Sequence, residues 1–447
     1  MELSKDEKYD RLGEKVIKLG KSILLENLEN VIDLTKNITS FLNDDDITGF
    51  ERVSNIGIES ESSGQETNPL LWELGHICYF YDYHCLKNLL NNHKIVIKDG
   101  YIYDSFQTNR DVRYSFKEHS KDLLFEYLEY VGYSLKEYLK NNLQVNERIT
   151  YLIMLVILHN HMHLESFIFS QKLLGYSNPI DKSFTSNNSI LNYEWIKIKG
   201  GSFYQGTFEG EYDISFDNEM PAFKKEVKDF YVLNMLVNED MLLNFVLEGG
   251  YSNEKLWSVN GNNWRKSKNI KLPMYWFYKK DKYYIKEFNN YREINKNLPA
   301  CHISWYEAEA ICKWLGGRLP TEAEWEYMAT NAGETKYPWG SDMEKNKGNL
   351  NYSGGLCNVD KYINSANDDG VIQLIGNVWE WCQNPIHPYD GYRIDPIYRE
   401  FSYPFFGFKK ILKGGSWAVP DILINPRYRN AQLPDMRMQF TGVRVVK

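Results

Sequence analysis

The chain has 447 residues, of which 43% are hydrophobic and 25% are charged, as in an ordinary globular protein with room for two or three domains. Its formal net charge of −8 leaves no basic surplus to neutralise phosphates, which argues against general nucleic-acid binding. The six cysteines are too few for a disulfide framework, so we expect reduced thiols and a cytoplasmic location. The start of the chain has no apolar signal region, and the longest apolar runs fall short of membrane-spanning length, so no membrane association is expected.

The first part of the sequence, residues 1–176, has the pattern of a helical bundle. Apolar residues recur there at helical spacing in four segments, which predicts amphipathic helices packed side by side. The four segments are Glu14–Leu42, Leu71–Leu90, Ser120–Leu139 and Glu147–Leu174. Between the second and third segments we expect a long loop over residues 91–116 at the mouth of the bundle, and long loops of this kind often carry function.

Three histidines of this part form a candidate metal site. His159 and His163 are one helical turn apart, so their imidazoles point the same way and can hold one ion. His76 is the candidate third ligand, because facing helices of a bundle can bring it to the other two. His161 points off this face, and Glu165 is expected either as a weak ligand or as a carboxylate that orients a histidine. The spacing alone leaves open a solvated helix end and a core histidine.

The pattern changes after residues 177–192, a polar stretch rich in Ser and Asn that predicts a linker. Residues 193–447 are rich in Gly, Trp and short aromatic segments, which predicts short strands joined by long loops. Ser304 is the expected N-cap of an amphipathic helix. Thr321 and Glu324 form the capping box of another helix. A mixed α/β domain is therefore expected behind the helical one.

Several motifs in the second part resemble the formylglycine-generating-enzyme (sulfatase-modifying factor) fold, a C-type-lectin-like domain with short strands and long loops. The matching segments are Gly200–Phe203, Ser304–Ala308, Gly317–Glu326, Gly376–Trp381, Lys413–Trp417 and Phe440–Arg444. The first part is similar to a DinB-like four-helix bundle, whose H-x-x-x-H-x-E motif matches His159, His163 and Glu165, with His76 in place of the third histidine. Together the two parts resemble the nonheme-iron sulfoxide synthases of ergothioneine and ovothiol biosynthesis.

The resemblance implies an enzyme that uses Fe(II) and dioxygen. In that family three histidines bind the iron, and a thiol is joined to an imidazole ring carbon of a histidine derivative to give a sulfoxide. Three imidazoles on one side of a metal leave its other positions for substrates and O2, which suits that chemistry. The implied partners are therefore small thiols and histidine-derived molecules. Formylglycine-generating enzymes use a cysteine pair late in the fold, and no cysteine follows Cys382 here, so their own reaction is not expected.

Further residues match positions that contact the substrates in this family. Tyr398 takes the place of the active-site tyrosine, whose phenol can donate a proton or a hydrogen atom; a packed aromatic is the alternative. Arg110 and Arg113 match a pair that holds the carboxylate of the thiol, a task suited to guanidinium groups, with solvated loop arginines as the alternative. Asn430 matches a contact to the histidine-derived substrate.

Some positions depart from the ergothioneine branch. Met162 stands where that branch often has Gln, a Trp-Asp pair is replaced by Ala and Gln432, and Phe401 replaces a second tyrosine. Residues 385–393 look closer to the ovothiol branch, which usually carries a C-terminal methyltransferase domain, whereas this sequence ends at Lys447. We favour hercynine as sulfur acceptor and γ-glutamylcysteine or cysteine as donor. A 5-histidylcysteine sulfoxide synthase acting on histidine and cysteine, a thiol dioxygenase and a noncatalytic binding module are the alternatives.

Overall fold

The computed structural model describes residues 19–42, 67–90, 93–115, 119–142, 144–180 and 192–447. Apart from the three-residue helix Lys87–Leu89, the described α-helices of the first part are α1 (Lys21–Thr39), α2 (Leu70–Phe80), α3 (Arg110–Ser115), α4 (Lys121–Asn141) and α5 (Glu147–Leu174). Helix α1 packs against α4 and α5, and α2 packs against the same two helices. The predicted four-helix bundle is therefore present, with the short α3 added in a connection.

The helix boundaries differ from the prediction in three places. Helix α1 begins at Lys21, after Gly20 in an extended conformation, and the predicted residues 14–18 lie outside the described residues. Helix α2 continues through a π-helical turn, Tyr81–Leu86, rather than running on as an α-helix. The predicted loop 91–116 contains a 3₁₀ turn at Gly100–Tyr103 as well as α3. The 3.6-residue apolar pattern is carried by a π-helical turn almost as well as by an α-helical one, which explains why this turn was not foreseen.

Helix α5 lies at the centre of the protein. By length and composition it is apolar enough to cross a membrane, but 83% of its most apolar stretch is buried inside the protein. This burial is typical of a core helix, and it explains why α5 lacks a clear polar face. Asn146 caps its start by accepting from the backbone N–H of Ile149 at 2.9 Å, and Gly175 ends it in the left-handed conformation.

The second part is a domain of short strands, long loops and a few helices. Its α-helices are α6 (Glu239–Leu247), α7 (Val259–Ser267), α8 (Trp305–Trp314) and α9 (Glu322–Ala329). The N-caps expected at Ser304 and Thr321 are confirmed, each as part of a capping box. All six cysteines are free and buried. The predicted linker 177–192 stays a prediction, because residues 181–191 lie outside the described part of the chain.

The strands of this domain form small separate sheets. They are β1 (Trp195–Ile198), β2 (Gly201–Gln205), β3 (Phe223–Val227), β4 (Phe230–Leu233), β5 (Trp276–Lys279), β6 (Lys282–Glu287), β7 (Asn290–Glu293), β8 (Trp379–Pro385), β9 (Lys410–Lys413), β10 (Asn430–Gln432) and β11 (Thr441–Gly442). Strands β1 and β4 pair, β2 and β3 pair, β5 to β7 form a meander, and the fourth sheet has the order β10-β9-β8-β11. This last sheet matters for function, because β8 and β10 face the helical bundle near its histidines.

Polar contacts along α5 join the bundle to the second domain. Tyr151 donates a hydrogen bond to the Asp395 carboxylate, and Nδ1 of His161 lies 2.7 Å from the Tyr352 hydroxyl. Near the end of the helix, the buried Lys172 forms an ion pair with Glu287 at 2.8 Å. The helix that carries two of the candidate metal ligands is therefore held in register with the second domain along its length.

Candidate metal centre

The structure brings together the three histidines that the sequence singled out. One potential ligand atom from each of His76, His159 and His163 lies within 4.8 Å of the others. Nε2 of His159 and Nε2 of His163 are 3.2 Å apart. His76 comes from α2 and the other two from α5, so the cluster exists only because these helices pack face to face. The separation is one that a single ion at the centre of the cluster can bridge.

Hydrogen bonds donated by Nδ1 point two of the imidazoles towards the centre of the cluster. Nδ1 of His76 donates to the carbonyl oxygen of Tyr103 at 2.7 Å, and Nδ1 of His163 donates to Oε1 of Glu73 at 2.6 Å. A carbonyl and a carboxylate only accept, so the ring proton sits on Nδ1 and the lone pair on Nε2. An imidazole held in this way is the usual form of a metal-binding histidine.

Aromatic rings fix the orientation of the remaining imidazole and support His76. The ring of His159 stacks on Phe80 with centroids 3.5 Å apart and planes within 7°. Its Nδ1 is buried and has no hydrogen-bond partner in the part of the chain that is described. The ring of His76 stacks on Trp72 at 5.3 Å. These stacking contacts restrict the rotation of both imidazoles, so the site is preorganised for an ion.

The electrostatics of the cluster favour neutral imidazoles. Burial, followed by the neighbouring His163, holds the pKa of His76 well below its usual range. Burial and the two neighbouring histidines lower the pKa of His159 in the same direction. At neutral pH these rings therefore offer lone pairs rather than positive charges. A set of three imidazole nitrogen donors fits a divalent first-row metal such as iron, copper or zinc better than a hard cation such as calcium.

Glu165, expected either as a weak ligand or as a carboxylate that orients a histidine, forms its hydrogen bonds with the second domain. Its carboxylate accepts from Nε1 of Trp379 at 2.9 Å and from the hydroxyl of Ser416, both in the second domain. Burial raises its pKa to about 7. The carboxylate beside a ligand is Glu73 instead, three residues before His76 on α2. In the sequence, the only sign of this role was that Glu73 and His76 are three residues apart and so lie on the same face of α2. That spacing does not reveal that the same face meets His163 on α5.

A cavity of about 590 Å³ opens onto the histidines and is lined by both domains. It brings together most of the residues that the family resemblance singled out: Arg113, Tyr398 and Asn430 share its wall with the three histidines. Met162 and Gln432, two of the departures from the ergothioneine branch, also line it. The bundle and the second domain therefore contribute jointly to one site, as expected of a pocket at a domain boundary.

Tyr398 lies beside the histidine cluster. Its ring is 5.5 Å from the His159 ring and meets it edge-on, at an interplanar angle of 81°. Its backbone N–H donates to Oδ1 of Asp395 at 3.1 Å, and the same oxygen accepts from the N–H of Ile397 at 2.8 Å. Burial raises the pKa of the Tyr398 phenol above its usual range. The phenol therefore keeps its proton at neutral pH, in a position next to the candidate ligands.

Arg113 lies in a structured position at the bundle side of the cavity. Its guanidinium is 4.1 Å above the ring of Trp72, and it donates to Oδ1 of Asn68 at 2.9 Å and to the carbonyl of Ser105 at 2.6 Å. These contacts distinguish it from a solvated loop arginine. Arg110 begins α3, but its side chain lies outside the described residues. The predicted pairing of these two arginines stays a prediction.

Comparisons with known proteins identify the family of the second domain. A family model described as a sulfatase-modifying factor enzyme 1-like domain matches residues 182–447. The hercynine oxygenase of Mycobacterium tuberculosis is 33% identical over 251 residues, which are 54% of this chain and 58% of that protein. The hercynine oxygenase of Mycolicibacterium smegmatis is 30% identical over 311 residues, which are 65% of this chain and 70% of that protein. The formylglycine-generating enzyme of Thermomonospora curvata is 35% identical over 173 residues, which are 33% of this chain and 55% of that protein.

Fold and site together define a two-domain protein whose helical bundle presents a three-histidine metal centre to a domain of short strands and long loops. The chain belongs to the sulfatase-modifying factor family, among the members similar to hercynine oxygenases. The resemblance to nonheme-iron sulfoxide synthases and the fold class predicted from the sequence are thereby confirmed.

Proposed function

We propose that the protein is an Fe(II)- and O2-dependent sulfoxide synthase that joins a thiol to the imidazole ring of hercynine. The observation that carries this proposal is the convergence of His76, His159 and His163 in a cavity shared by both domains. Relatives named hercynine oxygenases at about 30% identity support the same class of reaction. A cytoplasmic location accompanies the proposal and stays a prediction.

The overall reaction consumes one thiol, one imidazole and one O2. A C–S bond replaces the S–H and ring C–H bonds, one oxygen atom goes to sulfur, and the other leaves as water with the two hydrogens. The four electrons that reduce O2 come from C–S bond formation and from the oxidation of the sulfur. Iron bound by the histidines would supply the redox chemistry with O2 and coordination positions for the thiolate and the imidazole.

The residues of this chain bind and orient the substrates and handle a proton. Arg110 and Arg113 are proposed to hold the carboxylate of the thiol by bidentate hydrogen bonds, which suit a planar guanidinium. Asn430 is proposed to orient the imidazole substrate from the opposite wall of the cavity. Tyr398, a neutral phenol beside His159, is proposed to hold the proton or hydrogen atom that is delivered during the reaction.

The reaction class can be tested with the full chain reconstituted anaerobically with Fe(II). The protein is mixed with thiol and imidazole candidates and O2 is admitted, with uptake and product masses recorded. A product heavier than the two joined substrates by one oxygen atom, allowing for the two hydrogens lost, supports the proposal. Sulfinic acid alone would identify a thiol dioxygenase. No O2 uptake with any pair would identify a binding module that has kept the fold.

The choice of substrates needs its own measurement. Gln432 replaces an acidic residue of the ergothioneine branch and lines the cavity, and a neutral amide cannot pair with a substrate ammonium as a carboxylate would. The loss of a charge-assisted hydrogen bond lowers affinity by about 10- to 100-fold. The four combinations of one acceptor (hercynine or histidine) with one donor (γ-glutamylcysteine or cysteine) are compared, and the pair with the highest kcat/KM identifies the substrates. A kcat/KM preference for histidine would move the enzyme to the ovothiol side.

A further inference from the structure

The cationic side chains that line the site cavity differ in whether protein groups already pair with their charge and their hydrogen-bond donors. Within the described residues these are Arg113, Arg429 and Lys409. Arg429 is buried and pairs with the Glu322 carboxylate at 2.6 Å, while its remaining nitrogens donate to backbone carbonyls. Arg113 donates to Asn68 and to the carbonyl of Ser105, and its guanidinium lies over the ring of Trp72. Both arginines therefore contribute to the walls of the cavity.

Lys409 differs from these arginines. Its Nζ lies 3.5 Å above the ring centre of Phe405, which also lines the cavity. Among the residues that the structure describes, no carboxylate pairs with this Nζ and no acceptor takes a hydrogen bond from it. Glu400 lines the same cavity without forming an ion pair with Lys409. The ammonium of Lys409 is half-buried and lies against an aromatic ring. No carboxylate of the described residues balances its charge.

A partly buried cation without a counter-ion points to an anionic ligand. Removing a charge from water is unfavourable unless a partner restores the lost interactions. Burial lowers the pKa of Lys409 to about 8, so the group is still mainly protonated at neutral pH. A cation–π contact offsets only part of the lost hydration. A negatively charged group on a molecule that enters the cavity would restore the interactions that this cation has lost.

The position of Lys409 indicates which substrate supplies that group. Lys409 directly precedes β9, and β9 pairs with β10 so that Lys410 lies opposite Gln432 and Leu412 opposite Asn430. Lys409 therefore belongs to the wall formed by the second domain, which also carries Asn430, the residue expected to contact the histidine-derived substrate. Arg113, the expected anchor of the thiol, belongs to the bundle wall.

We propose that Lys409 anchors the carboxylate of the histidine-derived substrate. This inference rests on the proposed function and adds to it a specificity-determining residue. The ammonium of Lys409 pairs with the substrate carboxylate in the space above Phe405, and the imidazole ring of the same molecule is thereby directed towards the histidine cluster. The chemical class recognised is an α-amino acid or its N-methylated form with an imidazole side chain.

The proposal can be tested by calorimetric binding to the full chain, with and without Fe(II), under anaerobic conditions. The ligands are hercynine, histidine and histamine, the last of which lacks the carboxylate. We expect Lys409→Met to weaken the binding of hercynine or histidine by about 10- to 100-fold and to leave histamine unchanged. Lys409→Arg, which keeps the charge, should retain most of the affinity.

Lys410→Met is the matched control. Nζ of Lys410 donates to the carbonyl of Gln383 at 3.0 Å and lies 3.9 Å over Trp305, and Lys410 is not part of the cavity wall. This variant should bind all three ligands as the parent does. Equal weakening of histidine and histamine by Lys409→Met would overturn the proposal, as would unchanged binding of hercynine and histidine. Because binding is measured without turnover, failure of the sulfoxide synthase reaction would be seen separately, as absent O2 uptake with ligand binding intact.

Discussion

Glu73 and His163 are joined across the bundle by a hydrogen bond of 2.6 Å, in which Nδ1 of the imidazole donates to Oε1 of the carboxylate. Glu73 is fully buried, and its Oε2 has no partner in the described part of the chain. A buried carboxylate with half of its acceptors unused is unfavourable on its own account. In this position the carboxylate fixes the tautomer of His163, a candidate metal ligand, and makes its other ring nitrogen more basic.

Replacing Glu73 by Gln should weaken metal binding without removing it. The amide keeps the size of the side chain but lacks the charge that supports His163, so we expect the Kd for Fe(II) to rise by about 10- to 100-fold. Anaerobic titration with Fe(II) measures this change. Glu126→Gln, at an exposed position of α4, is the control for the loss of one negative charge. An unchanged Kd in Glu73→Gln would show that this carboxylate does not support the site.

Substitution of the candidate ligands should abolish stoichiometric iron binding. We expect His159→Ala and His163→Ala each to lose the bound ion, because a two-histidine site lacks one of the donors. His161→Ala is the matched control on the same helix. Its imidazole contacts the Tyr352 hydroxyl rather than the cluster, so iron should be retained despite some loss of stability. Alanine variants of His159 and His163 that bind iron as the parent does would refute the assignment.

The proposed role of Tyr398 predicts a change of product rather than of metal binding. Tyr398→Phe removes the hydroxyl and leaves the ring against His159 and Phe80, so iron affinity should be unchanged. Without the proton or hydrogen donor, we expect the product to shift from sulfoxide towards sulfinic acid, measured by mass spectrometry. Tyr403→Phe, at a side chain that is 66% exposed, should leave the product ratio as it is. The same ratio in both variants would reduce Tyr398 to a packing residue.

Because the carboxyl group of Glu219 is buried, we expect the stability of the second domain to depend on pH. Its side chain is buried, and burial raises its pKa to about 8, above the value of about 4.3 in an unfolded chain. The folded protein therefore binds the extra proton, and the contribution of this group to stability is greatest below pH 4.3 and falls as pH rises towards 8. Glu219→Gln cannot ionise, so its advantage over the parent should grow across this window.

Thermal denaturation at pH 5 and pH 8.5 measures this effect. We expect Glu219→Gln to have a higher Tm than the parent at pH 8.5, by about 2–4 °C for each kcal/mol gained, with a smaller difference at pH 5. Glu209→Gln, at an exposed position, should show no comparable trend. A difference that stays constant between the two pH values would mean that Glu219 does not carry a raised pKa in the folded protein.

Much of the fold was readable from local patterns in the sequence. The ends of α5, the capping boxes at Ser304 and Thr321, and the helical pair His159 and His163 all depend on side chains within one or two turns of each other. Helical periodicity and capping hydrogen bonds act over that range, so the sequence alone was sufficient. The exceptions were the π-helical turn after α2 and the short helix α3, whose local patterns do not differ enough from an α-helix or a loop.

The composition of the site depended on contacts between distant segments. Glu73 and His163 are 90 residues apart, Glu165 and Trp379 are 214 residues apart, and Lys409 enters the cavity through the pairing of β9 with β10. Periodicity places a side chain on a face of its own helix, but which partner that face meets is decided by how helices and sheets pack. The sequence by itself therefore determined the three histidines and their bundle. Only the tertiary structure decided that Glu73 orients His163, that Glu165 joins the two domains, and that Lys409 faces the site without a counter-ion.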